Sequence, residues 1–362
     1  TEVGTNAIGT AIVERRAVPH AGSLAAGELL VTARLGIIGI PEDAGEIPAL
    51  CARLDVEPVF LIEPGSVAVP PPHGRTVPLH DVTLEAIIGL AKREGLSGLW
   101  SSCCELAPLV TRAAAALGFF HLPCLDDAFQ STLPIEGATV YSYAELEHLR
   151  ERELLQLPIP AWVRAACTRG DGSCMRLDHP NDLSLASAKL QKRNMGGPIR
   201  IQPAIDGTVY RALAFKTGTS LTLSCLIGEE MTSSVYRVPL SMSVPAEGRS
   251  DMTGEVQAMV EQVNAHLPEG WGYVELELVD TEKGLRLIDV QSPARLDPHL
   301  CQLVRLALGI DLRLASMGCA LGLMPSLEPT RHCGAAMTWL LTRSGVVTGF
   351  QGVAEARQMA GV

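Results

Sequence analysis

The stretch GYVELELVDTEKGLRLIDVQSPARLDPHL, Gly272–Leu300, constrains this chain more than any other. Two runs within it, Tyr273–Asp280 and Leu285–Gln291, alternate apolar and polar residues around Thr-Glu-Lys-Gly. That is the pattern of a β-hairpin closed by a glycine-containing loop. A loop centred near Lys283 sets Glu277 opposite Asp289 and Glu275 opposite Gln291, all on one face. The other face, Val274, Leu276, Leu278, Ile288 and Val290, is the expected core side. Directly opposed residues have Cβ atoms roughly 4.5–5.5 Å apart, where like charges repel. Two carboxylates so placed either line a solvated edge or share a divalent cation. Oxygen ligands of this kind, completed by substrate phosphates, suit Mg²⁺. Spacing alone leaves both readings open.

The rest of the chain limits the setting of this hairpin. At 362 residues there is room for two or three domains with sizeable cores. A hydrophobic content of 47% argues against disorder. No apolar run reaches the length of a membrane span, and no secretory leader pattern opens the sequence. A net charge of −11 without a basic block disfavours nucleic acid as a partner. The cysteines form no CxxC pair and are expected to be reduced core residues, which points to a cytoplasmic protein.

Residues 1–34 carry no pattern that assigns them a role. From residue 35, buried runs alternate with helical periodicity: strands at Leu35–Pro41, Glu57–Pro64 and Leu96–Ser102, helices to Leu54, over Thr83–Glu94 and over Leu106–Leu117. This predicts a half-Rossmann-like α/β domain with a parallel sheet over residues 35–130. It has no GxGxxG after its first strand, and no P-loop occurs anywhere. A smaller unit over residues 131–196 reads as a strand and amphipathic helix (Ala138–Leu155), a strand (Ala161–Cys167), a Gly-Asp-Gly-Ser turn, a further strand, and a helix over Asn181–Arg193 capped by Asn or Asp. That turn is either a phosphate cradle or an ordinary hairpin turn. A third unit, residues 197–362, opens with a strand–turn–strand (Pro198–Gly218), continues with a strand (Leu221–Ile227) and a helix (Asp251–His266), and then the hairpin. A helix (Pro298–Leu308) follows, and a strand pair is expected in the tail RSGVVTGFQGVAEARQMAGV.

This order resembles the ATP-grasp superfamily. The resemblance rests on Gly272, Glu277, Gly284, Asp289-Val290-Gln291 and Arg295, on LVRLALGIDL, on GPIRIQPAIDGTVYRALAF, and on a tail similar to that of carboxylate–amine ligases and biotin-carboxylase-type enzymes. It implies an α/β domain followed by an ATP-grasp-type two-part domain. It also implies an ATP-dependent ligase that phosphorylates a small-molecule carboxylate and lets an amine attack the acylphosphate. By the same resemblance Glu277 and Asp289 would hold Mg²⁺, with Gln291 as a weaker neutral ligand. Arg295 would bind the transferred phosphate or the substrate carboxylate. Arg164 stands where the family has a phosphate-binding Lys. Gly170, Gly172 and Ser173 would cover the phosphates, and Gln202 would lie near the adenine hinge. Family analogy allows a homodimer through the N-terminal domain.

The departures from the family pattern are concrete. Asp289 and Gln291 replace Glu and Asn, and Arg295 lies six residues past Asp289 instead of four. The lysine expected near Asp126–Leu133 has no counterpart, and Gln202-Pro203 replaces an acidic hinge. A catalytically silent ATP-grasp-like binding protein and a carboxylase-type enzyme are therefore the competing readings.

Overall fold

The computed structural model describes residues 33–39, 44–64, 74–101, 103, 106–123, 133–149, 156–165, 174–194, 198–232, 239–248, 252–339, 351–356 and 358. Strand β1 (Ala33–Ile38) leads into helix α1 (Ile47–Arg53) and strand β2 (Val56–Ile62). Strand β3 (Arg75–Pro78), helix α2 (Leu84–Glu94), strand β4 (Gly98–Trp100) and helix α3 (Ala107–Ala116) follow. The sheet order is β3-β2-β1-β4, with every pairing parallel, as the alternation predicts. Thr83 caps α2 by accepting the Ala86 N–H at 3.3 Å, and Gly95 ends it at φ 63°. Strand β3 was not legible: Arg75 and Thr76 are exposed at the sheet edge, and only Val77 is buried.

The second unit holds strand β5 (Thr139–Tyr141), helix α4 (Tyr143–Glu147), and strands β6 (Ala161–Ala165) and β7 (Cys174–Leu177). Helix α5 (Leu183–Asn194) and strand β8 (Ile199–Pro203) complete it. These strands make an antiparallel sheet, β5-β8-β6-β7, over a core of Val163, Leu177, Ala186, Leu190 and Ile201. β8, expected at the head of the third unit, thus hydrogen-bonds inside the second. The predicted Asn or Asp helix cap is also corrected. A short 3₁₀ turn, Pro180–Asp182, precedes α5, and the His179 Nδ1 accepts the Asn181 N–H at 3.2 Å.

Strands β9 (Thr208–Gly218), β10 (Ser220–Met231) and β11 (Pro239–Val244), helix α6 (Met252–Asn264), and strands β12 (Gly270–Thr281) and β13 (Gly284–Gln291) form the third unit. Helices α7 (Pro298–Leu308) and α8 (Leu312–Ala320), strand β14 (Ala335–Thr338) and the short helix α9 (Val353–Ala356) end it. The antiparallel sheet runs β13-β12-β9-β10-β11-β14. α6 buries Val256, Val260 and Val263 against Ala212, Ala214 and Leu276 on one face. α7 contributes Leu300, Leu303 and Val304 to the other face. Of the tail expected to form a strand pair, the described part holds the short helix α9, and the rest lies outside the described residues. α8 also seals the first sheet: Trp100 Nε1 donates to Ser316 Oγ at 3.0 Å, and Met317 and Ala320 pack with Leu35 and Ile37.

Candidate active site

The hairpin has the register its spacing predicts, with Glu277 paired to Asp289 and Glu275 to Gln291. A bulge then shifts the pairing, so that Leu278 faces Leu287 and Ile288 becomes the extra residue. The expectation for Ile288 is corrected by this shift. Leu287 joins Val274, Leu276 and Val290 in the core beneath α6, whereas Ile288 packs with Val209 and Val279. Gly207, in the link from β8 to β9, keeps the chain close to the hairpin. A Cβ there would sit 2.2 Å from the Asp280 carbonyl oxygen.

The two carboxylates are not a solvated edge. Arg164 on β6 grips Glu277 with both terminal nitrogens, Nη1 to Oε2 at 2.7 Å and Nη2 to Oε1 at 3.1 Å. Its Nη1 also lies 3.6 Å from Asp289 Oδ2. Arg200 on β8 donates through Nη2 to Asp289 Oδ1. A third guanidinium, that of Arg211 on β9, pairs with Glu229 at 2.6 Å and Glu275 at 3.5 Å. Burial works against its charge, but Glu275 and Glu229 outweigh that and raise its pKa. Arg164, Arg200 and Arg211 thus face Glu229, Glu275, Glu277 and Asp289 in one nearly neutral belt between the two antiparallel sheets.

Sequence reasoning located Arg164, Glu277 and Asp289 but not Arg200, Arg211 or Glu229. The available signal was a charge inside an apolar run, as in Ile199-Arg200-Ile201. Alternation normally assigns such a residue to solvent, yet Arg200 is 2% exposed. Gln202 is buried at 1% exposure, and its Nε2 donates to the Ile288 carbonyl at 3.2 Å. The buried amide oxygens of Gln202 and Gln291 accept no hydrogen bond among the described residues. Gly170, Gly172 and Ser173 lie outside the described residues.

No group of three or more His, Cys, Asp and Glu among the described residues is arranged to hold a metal. The donor set of Glu277, Asp289 and the orphaned amide oxygen of Gln291 nevertheless fits Mg²⁺ in kind, being all oxygen and carrying two charges. Beside the belt is a cleft of about 440 Å³ lined by Trp162, Arg176, Ile205, Val209, Glu229 and Met231. Arg295, past the hairpin, is exposed. It borders a separate cavity of about 20 Å³ with Ser101, Cys103 and Tyr273, at the carboxyl end of β4. Burial raises the pKa of the Tyr273 hydroxyl, which has no hydrogen-bond partner among the described residues. His299 is exposed and its ring lies 6.0 Å from that of Trp339 in an edge-on contact.

The three units match a set of solved structures along most of their length. An L-amino acid ligase from Bacillus licheniformis superimposes with a TM-score of 0.70 at 17% identity, covering 90% of this chain and 85% of that one. An N5-carboxyaminoimidazole synthase from Aspergillus clavatus, in complex with ADP and 5-aminoimidazole ribonucleotide, gives 0.60 at 15%, covering 83% and 80%. A biotin carboxylase from Campylobacter jejuni gives 0.60 at 12%, covering 82% and 72%. The chain has the ATP-grasp fold. No family model and no curated protein sequence matches it. The parallel β3-β2-β1-β4 sheet, the β5-β8-β6-β7 sheet and the six-stranded sheet are the three units so matched, and the ion pairs of Arg164 and Arg200 join the second to the third. No helix among the described residues is long and apolar enough to cross a membrane.

Proposed function

We propose that this ATP-grasp chain is an ATP-dependent ligase that joins a small-molecule carboxylate to an amine. The γ-phosphoryl group would pass from ATP to a carboxylate oxygen, releasing ADP, and the amine nitrogen would then displace phosphate to form the amide. The observation that carries this reading is the Glu277–Asp289 pair, set side by side by register and met by guanidiniums from the β5–β8 sheet, which would act as the lid over the nucleotide. When bound, Mg²⁺ would neutralise phosphate charge here. Glu277, Asp289 and Gln291 are the residues that would hold it.

The other parts have matching chemistry. Trp162, Ile205, Val209 and Met231 give the 440 Å³ cleft an apolar lining suited to a planar base. Arg164 provides a bidentate fork for phosphate oxygens. Arg295, at the separate cavity beside Ser101 and Tyr273, would bind the substrate carboxylate, and its planar fork suits that group.

A second reading, a silent ATP-grasp-like binding protein, is favoured by the guanidiniums that already satisfy both carboxylates. Calorimetric titration with Mg·ADP, followed by phosphate release from Mg·ATP with mixed amino acids, separates the two. Binding with carboxylate-dependent phosphate release is the expected result. Binding without turnover under any amine and carboxylate pair would favour the silent protein, and the absence of binding would sink the ligase.

A further inference from the structure

Arg164 and Arg200 are direct register partners on adjacent lid strands. Their side chains share one face, and two guanidiniums so opposed repel unless an anion lies against them. Glu277 and Asp289, register partners on the hairpin, have the mirror-image problem. The two like-charged pairs meet across the groove and solve it jointly. Arg164 holds Glu277 and lies 3.6 Å from Asp289, and Arg200 holds Asp289. At 7% and 2% exposure, both arginines are shielded from solvent, so the charges are weakly screened.

Such a square is hard to open from one side only. A divalent cation arriving alone must take the carboxylates away from the two buried guanidiniums they hold. A polyphosphate arriving alone must take the guanidiniums and leave two carboxylates facing each other. Each outcome strands buried charge, which is strongly unfavourable. When both arrive, the carboxylates exchange guanidinium for metal and the guanidiniums exchange carboxylate for phosphate. Every charge keeps a partner.

We propose that Arg200 joins Arg164 in a polyphosphate clamp that is latched onto the metal-binding carboxylates in the empty protein, so that metal and polyphosphate bind only together. This rests on the nucleotide-dependent reading above and adds to it a binding residue, Arg200, and an obligatory coupling. The latch is a property of this chain's own strands. A divalent cation and a polyanion are bound by opposite halves of one neutral square, so each creates the vacancy the other fills.

The test is calorimetric titration of the full chain with Mg²⁺ alone, with inorganic tripolyphosphate and with ADP in the presence of EDTA, and with each anion plus Mg²⁺. The wild-type protein is expected to bind Mg·tripolyphosphate and Mg·ADP at least about 100-fold more tightly than either anion in EDTA, a coupling in the upper part of the usual range. In Arg200→Met, Mg²⁺ alone is expected to bind more tightly, because Asp289 has lost its guanidinium. Mg·tripolyphosphate is expected to bind about 10-fold more weakly, having lost one charged contact. Opposite changes for two probes are not what a merely structural defect gives, since loss of fold weakens both. Arg200→Lys, which keeps the charge without the fork, is expected to fall between and guards against a misfolded Met variant.

Equal binding of tripolyphosphate with and without Mg²⁺ would overturn the proposal. So would Mg·ADP and Mg·tripolyphosphate binding that Arg200→Met leaves unchanged, although the nucleotide reading would then survive. Binding of Mg·tripolyphosphate without Mg·ADP would keep the clamp and remove the nucleotide. No binding of any probe would overturn both.

Discussion

Asp289 lies against both guanidiniums of the β5–β8 sheet, those of Arg164 and Arg200. Asp289→Asn should take this carboxylate charge away from buried Arg200 and weaken the hold on Arg164 as well. Breaking a buried pair from one side typically costs about 3–5 kcal/mol. Glu277→Gln should cost less, because Arg164 keeps its 3.6 Å contact with Asp289. Melting temperatures measured without ligand test this order, and an equal or larger loss in Glu277→Gln would refute it. A second residue-scale expectation concerns thiols. Burial pushes Cys51, Cys225 and Cys319 from 9.0 up to about 12. In the unfolded chain these thiols ionise near 9, while the folded protein keeps them protonated. Their contribution is therefore complete below about pH 9 and declines as pH rises toward 12. Urea midpoints should fall steadily over that window, and Cys→Ala at each position should flatten the slope whatever it does to the midpoint itself. A slope unchanged in all three variants would remove the thiols as its cause.

At the scale of elements, what could be read from the sequence was what neighbouring residues decide. Alternation and the Thr-Glu-Lys-Gly loop set the β12–β13 register, and Thr83 and Gly95 bounded α2. What escaped depends on partners distant in sequence. β8 and β9 are separated by a short link yet hydrogen-bond in different sheets, which no local pattern announces. The bulge turns Ile288 from the core face to the groove, although its apolar character suits either place. Arg164 was legible by position, but its bond to Glu277, 113 residues away, was not. Close packing between elements is similarly invisible until two backbones meet. Gly98 on β4 lies against α8, where an added Cβ would come 2.3 Å from the Ala320 carbonyl oxygen. Backbone cannot yield as a flexible side chain does, so Gly98→Ala should destabilise the chain by about 1–3 kcal/mol. Calorimetric melting tests this, and a wild-type melting temperature would show that α8 moves freely on the sheet.

Over the whole molecule, the core sheet is joined to its two neighbours by different physics. The parallel sheet meets α8 through apolar packing of Met317 and Ala320, the Trp100–Ser316 hydrogen bond, and an Arg53–Asp311 ion pair at 2.5 Å. The β5–β8 sheet and its flanking residues meet the hairpin through charge and polar contacts. These are Arg164 with Glu277, Arg200 with Asp289, the Gln202 amide on the Ile288 carbonyl, and Arg286 with Glu136 at 2.6 Å. Apolar packing is non-directional and fails only when surfaces separate, whereas a set of buried ion pairs is lost when one side is neutralised. The two junctions should therefore open independently. Hydrogen exchange of Glu277→Gln/Asp289→Asn should speed at β6 and β8 while β1, β2 and β4 keep wild-type protection. Gly98→Ala should do the reverse. If either variant loosens both regions equally, the β5–β8 sheet and the parallel sheet form one cooperative unit. The charged belt would then serve the stability of the entire fold, and the β5–β8 sheet would have no separate free energy with which to open by itself as the proposed nucleotide site requires.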